Sequence, residues 1–179
     1  MSIFDKIAAA VMPPESAEDR AEARERAHEL AADHVWLAEV LDHHEMIEQA
    51  FSQARTAPDP ETAREAARML GEVLASHSLA EEVVLYPALV MEHHKGHAAM
   101  AYQEQQMAKV EMAELELLEP LSEEWRDKLE HIEGAVRHHM YEEESIWYPK
   151  LAKEASPQVL AHLDERFVEE WQRCAPIDA

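Results

Sequence analysis

Two stretches of the chain repeat the same residues at the same offsets. HSLAEEVVLYP at 77–87 and HMYEEESIWYP at 139–149 share a His, two Glu, a Tyr and a Pro. In each, an imidazole and a carboxylate stand four residues apart, which on a helix is one turn, about 6 Å along the axis on a single face. One such pair is an ordinary surface pair. Two of them on apolar stripes are not, because four ionisable groups inside a helical bundle carry a desolvation penalty of several kcal/mol unless something compensates. A bound cation compensates directly. The pattern therefore points to a metal site containing His77, Glu81, His139 and Glu143. Mixed imidazole and carboxylate donors suit iron, manganese or zinc, and two carboxylates able to bridge favour two ions over one.

The elements that must position these residues are helices. Only 3 glycines, 6% aromatic residues and an abundance of Ala, Glu, Leu and Met favour helix nearly everywhere. The spacing predicts a first helix over about 19–52, with Leu30, His34, Leu37, Leu41, His44 and Phe51 at helical intervals. After TAPDP, Asp59 caps and Pro60 opens a second, striped by Leu70, Val73, His77, Glu81, Val84 and Ala88 and ending before Gly96. A third covers about 97–118, and Glu119-Pro120 breaks it. Ser122 caps the fourth, whose stripe is Leu129, Ile132, Val136, His139, Glu143, Ile146 and Lys150. Ser156-Pro157 starts a shorter fifth helix to about Trp171, with Leu160 and Phe167 available to lie against the rest as an appendage. Short connections make neighbours antiparallel. The expected fold is all-α: an up-down-up-down antiparallel four-helix bundle over 19–153, an N-terminal extension over 1–18, and an extra C-terminal helix and tail over 154–179.

Charge narrows the partners. With 16 Lys and Arg against 38 Asp and Glu the net charge is −22, which repels nucleic acid and anionic lipid alike and draws cations. Most of that charge serves solubility alone. Cys174 is the only cysteine, so neither a disulfide framework nor a cysteine-based zinc site is available, and a reducing, cytoplasmic location fits. The opening MSIFDKIAAAVMPP has Asp5 and Lys6 inside a short apolar run, and no membrane span is expected.

On these motifs the sequence resembles the hemerythrin-like, HHE cation-binding family over about residues 30–153. Its members are four-helix bundles with a non-haem di-iron centre, in which successive helices give a His, a His-x-x-x-Glu, a His and a second His-x-x-x-Glu. The resemblance implies a first-helix ligand in LDHHEMIEQAF. His44 is the best phased, three residues before Ile47 and seven before Phe51. His43 points about 100° away and is expected in solvent, and His34 lies about 15 Å further along the helix.

The third-helix slot departs from the family, for AYQEQQMAKVEMAEL contains no histidine. Phasing with Ala101, Ala108, Met112 and Leu115 puts Glu104 and Gln105 at the inner edge. Glu104 is the expected substitute ligand, since a carboxylate binds hard ions better than an amide; Gln105 and His97 are the alternatives. Tyr86, Tyr102 and Tyr148 could anchor carboxylates near the site, packing being the commoner role for Tyr86 and Tyr148. Glu82 and Glu144 turn partly outward and are not assigned as ligands. His93, His94 and His138 read as surface or helix-end residues, and Met46, Met69, Met107 and Met112 as core filling.

The resemblance implies dioxygen binding, oxygen or redox sensing, iron handling, or reaction with peroxide or nitric oxide. From the residues, a missing imidazole opens a coordination position, and an added carboxylate favours ferric over ferrous iron, against reversible oxygen carriage. Oxygen or redox sensing at a di-iron centre is the expected role. A di-iron oxidase or peroxidase is the alternative, and an acidic helical interaction protein with incidental histidines is a third. No kinase, methyl-accepting or nucleic-acid module is recognised in the chain, so a sensory output is expected to pass through a protein partner or an oligomer.

Overall fold

A computed structural model of the chain describes residues 15–92 and 94–174. Among the described residues there are six helices and no strand. They are α1 (Ala17–Ala31), α2 (Val35–Thr56), α3 (Pro60–Met91), α4 (Lys95–Glu116), α5 (Glu123–Glu142, extended by Tyr148–Glu154) and α6 (Pro157–Cys174). The expected signals start several of them. Asp59 accepts from the Thr62 N–H at 2.9 Å ahead of Pro60, and Ser122 accepts from the Trp125 N–H at 3.1 Å. Ser16 and Asp19 form a reciprocal capping box for α1.

The single first helix expected over 19–52 is two helices. The chain turns at Ala32–His34, where the Asp33 and His34 N–H groups bond back to Leu30 and Ala31 and His34 is extended at φ −139. No side chain of the turn caps α2. Its first-turn Trp36 N–H instead donates to Asp164 of α6 at 3.0 Å, a tertiary cap that local sequence cannot reveal. Once released from α2, α1 packs back against it with Ala23 and Ala27 fully buried.

Two apolar clusters fill the interior. One gathers Trp36, Leu37, Leu85, Tyr86, Trp147, Tyr148 and Phe167; the other gathers Ile47, Phe51, Leu70, Met112, Trp125, Leu129 and Ile132. Each of the four helices α2 to α5 changes from one cluster to the other at a polar residue. His44 lies between Leu41 and Ile47, His77 between Leu74 and Ala80, Gln105 between Ala101 and Met112, and His139 and Glu143 between Val136 and Trp147. A polar layer is thus sealed above and below by hydrocarbon.

Both repeated motifs run through a π turn, at Glu81–Leu85 in α3 and Glu143–Trp147 in α5. The Tyr86 N–H bonds to the Glu81 carbonyl and the Tyr148 N–H to the Glu143 carbonyl, each five residues back. The repeated Tyr-Pro explains the position. Pro87 and Pro149 lack an N–H and would press on the carbonyl four residues earlier in a regular α-helix, and widening the turn relieves that crowding. The extra residue also breaks the inward stripe expected for α5: Ile146 and Lys150 are exposed, and Trp147 and Tyr148 are buried instead.

By length and composition α3 could cross a membrane, but most of its apolar stretch is buried within the protein against the other helices. Nor is α6 a loose appendage, for it packs on α2 and α3 and inserts a fully buried Phe167. Phe167→Ala should therefore lower the unfolding free energy by about 3–5 kcal/mol in urea titration, while Leu117→Ala at the exposed end of α4 should change it by no more than about 0.5 kcal/mol.

Candidate metal centre

Histidines 44 and 77 and glutamates 81 and 143 each present one ligand atom within 4.8 Å of the others, and all four side chains are buried. His77 Nε2 lies 3.2 Å from Glu81 Oε2, and His44 Nε2 lies 3.4 Å from Glu143 Oε2. His139 joins from the other side, its Nε2 3.2 Å from Glu143 Oε1. Three of the converging atoms, His44 Nε2, His77 Nε2 and Glu143 Oε2, have no hydrogen-bond partner although they are shut off from solvent. Buried polar atoms are rarely left so. Three orphaned lone-pair sites aimed at a common point, on donors of the type that binds first-row ions, fit a cation better than a purely structural cluster.

The flanking groups hold the carboxylates. Tyr148 donates to Glu81 and, at 2.8 Å, its hydroxyl also meets Glu143; Tyr86 lies 3.1 Å from Glu81 and 3.2 Å from Glu143. Each tyrosine follows its own motif's glutamate by five residues, about 140° around a regular α-helix. The π turn is what brings the pair onto one face. Gln105 donates from Nε2 to Glu81 at 2.5 Å and is buried. Behind the histidines, Glu104 is 2.8 Å from His139 Nδ1 and Glu144 is 2.7 Å from His44 Nδ1.

Electrostatics follow from this crowding. Burial opposes a charge on His44, but the Glu143 carboxylate beside its Nε2 and Glu144 on its Nδ1 outweigh it and push its pKa up to about 9. His139 is likewise raised, by Glu143 and Glu104 against burial. Burial and the neighbouring Glu143 push Glu81 up to about 8, whereas Glu143, facing His139 and His44, is held well below the usual carboxylate range despite its burial. Burial, reinforced by the charge of His44, holds the pKa of His77 well below the usual imidazole value.

The structure brings His44, His77, Glu81, His139 and Glu143 together. It does not put Glu104 in the slot of the missing imidazole. The buried phase of α4 runs Ala98, Ala101, Gln105, Met112 and Leu115, which centres Gln105 and leaves Glu104 about a third exposed on the outer nitrogen of His139. His97 stacks on Trp147 at 5.8 Å instead, and Tyr102 bonds to the Glu82 carbonyl at 2.7 Å. His43, expected in solvent, is buried by α6 against Trp171, with ring centroids 3.7 Å apart, and burial beside His44 lowers its pKa to about 3. Met112 fills the core as expected, but Met107 is exposed. His94 and His138 lie at the surface with carboxylate partners Glu154 and Glu15, and His93 lies outside the described residues.

Glu144 is the residue sequence reasoning missed. Its counterpart Glu82 does face outward, to Lys109 at 2.6 Å, but Glu144 is enclosed because α1 covers that side of α5. The doubled Glu-Glu gives both positions the same local signal, so only the covering helix distinguishes them.

Comparison with known proteins agrees with this geometry. The model of the hemerythrin HHE cation binding domain matches residues 27–151. A DNA nickase from Nostoc sp. (strain PCC 7120) is 24% identical over 115 residues, which is 64% of this chain and 33% of the nickase. The chain thus spans a third of that relative's length. No solved structure matches significantly.

The titration pattern carries a signed expectation for the cation-free protein. His44 and His139 bind protons more tightly folded than unfolded, so their contribution is complete below the ordinary 6.5 and, for His44, is lost as pH rises through about 9. Glu81, raised from 4.5 to about 8, adds to the loss over the lower part of the same range, since its own contribution falls as pH rises from 4.5 to about 8. Chelated protein should therefore melt at progressively lower temperature from about pH 6.5 to 9 in scanning calorimetry. A flat or rising melting temperature would contradict the convergence of these groups.

Proposed function

The chain belongs to the hemerythrin HHE cation-binding family, and on that footing we propose that it is a non-haem di-iron protein that senses oxygen or redox state. His44, His77, Glu81, His139 and Glu143 are the proposed ligands, held by a bundle over 19–153 that we read as up-down-up-down from its short connections at 57–59, 92–94 and 117–122. The observation that carries the proposal is the set of orphaned donors, His44 Nε2, His77 Nε2 and Glu143 Oε2, converging in a dry interior. Manganese or zinc would suit the same donors. Iron there would supply a redox-active, Lewis-acidic centre for a small ligand such as dioxygen, peroxide or nitric oxide.

The chain's own residues favour sensing over carriage. Gln105 offers a neutral amide where an imidazole is expected, and its nitrogen is committed to Glu81, so the α4 side supplies no strong ligand. Glu104 on the outer nitrogen of His139 makes that imidazole more basic, which favours the more highly charged ferric state. Tyr86 and Tyr148 fix the carboxylates, and the two apolar clusters keep water out. An oxidase or peroxidase reading draws on those two tyrosine hydroxyls at the site; sustained peroxide turnover by iron-loaded protein would favour it.

Nicking belongs to the Nostoc relative as a whole. With a net charge of −22 we do not extend nucleic-acid or membrane binding to this chain. A reducing, cytoplasmic setting is consistent with the lone Cys174, and a protein partner or second copy would carry the output.

Aerobically purified protein should contain about two irons per chain by elemental analysis, with near-ultraviolet and visible absorption absent from chelated protein. His77→Ala and His139→Ala should each weaken iron binding about tenfold or more. Full iron content and an unchanged spectrum in both would remove the proposed ligand set, and failure of the wild type to load would leave the helical interaction reading. Gln105→His should alter the visible spectrum by adding an imidazole beside Glu81, whereas Glu104→Gln should keep the iron count and shift only the redox balance toward ferrous iron.

A further inference from the structure

We propose that Arg24 of α1 is a positioning residue for the metal site, acting through Glu144 to hold His44. The inference rests on the metal-binding reading, and it adds a part of the chain that precedes the family match, which begins at residue 27.

Arg24 places a fork on Glu144, with Nε 3.1 Å and Nη2 2.9 Å from Oε1, and its remaining Nη1 meets Glu48 at 3.1 Å. The same Oε1 of Glu144 lies 2.7 Å from His44 Nδ1. Glu144 is 2% exposed. Its charge is met on one side by His44 and on the other by the Arg24 guanidinium. A carboxylate so enclosed is stable as an anion only with cationic partners on both sides. Arg24 alone supplies one that a bound metal ion would not disturb.

The consequence for His44 is directional. A carboxylate on Nδ1 fixes which ring nitrogen carries the outer proton, so Nε2 is the atom turned toward Glu143 and the cluster. A planar guanidinium gripping that carboxylate removes its freedom to swing. The first repeat shows the alternative. Glu82, at the same offset as Glu144, pairs with Lys109 and Gln106 on the outside, and His77 Nδ1 has no partner. Of the two histidines in the four-residue cluster, only His44 is tethered from behind, and the tether ends on α1.

The test uses anaerobic cobalt(II) titration of the full chain, because its visible ligand-field bands report donor geometry as well as affinity. Arg24→Ala should weaken cobalt binding about tenfold and shift those bands at unchanged helix content. Arg24→Lys, which keeps the charge but not the fork, should recover part of the affinity. Arg26→Ala, which removes an exposed pair with Glu22 on the same helix, should do neither. Should Arg24→Ala not fold, Arg24→Gln, which keeps most of the stem, carries the same expectation. Wild-type affinity and bands in the Arg24 variants would overturn the proposal. If the wild type takes up neither cobalt nor iron, the metal reading itself has failed. Arg24 is then judged on the cation-free protein by NMR. The His44 Nδ1 proton should exchange with solvent faster in Arg24→Ala than in the wild type, and equal rates would overturn it.

Discussion

Two carboxylates in contact with the same hydroxyls in a dry helical interior, Glu81 and Glu143, are the constraint around which the molecule is arranged. Neither has any solvent exposure, and the charge on Glu143 raises the cost of ionising Glu81. Three imidazoles, two phenols and an amide are spent on them. A structural role alone would be served more cheaply by apolar side chains of similar volume. The arrangement has a physical purpose if positive charge enters among the oxygens.

The helices are adapted to that end. Each repeated motif widens by one residue where a proline would otherwise crowd the preceding turn, and this swings a tyrosine onto the face of its own glutamate. Small residues, Ala23 and Ala27 on α1, let that helix come close enough for Arg24 to reach Glu144. On the opposite wall α6 closes the His43 and His77 side with Phe167 and Trp171, while its Asp164 caps α2, the helix that bears His44. The site is therefore built by six helices, although its proposed metal ligands sit on three.

The repeated His-x-x-x-Glu made much of this legible in sequence, because its two copies fall on stripes whose periodicity is strong and local. Helix starts at Asp59-Pro60 and Ser122 were equally readable, since capping is a contact within one turn. What escaped were features decided by distant chain. The cap that opens α2 after the break at Ala32–His34 comes from Asp164, and His43 is buried by α6 and Glu144 by α1. The expected stripe through Ile146 and Lys150 failed because a regular 3.6-residue period was carried across a π turn. The preference for Glu104 over Gln105 weighed ligand chemistry above helix phase, and in the structure the phase of α4 decides.

The most direct test of the central claim, that these buried donors hold an iron pair, is a crystal structure of iron-loaded protein with anomalous data collected on both sides of the iron edge. The account predicts two iron peaks in the polar layer, with His44 Nε2, His77 Nε2, His139 Nε2 and oxygens of Glu81 and Glu143 at about 2.0–2.2 Å from them. Iron peaks elsewhere, or an empty layer with Glu81 and Glu143 still joined only through Tyr86 and Tyr148, would contradict it.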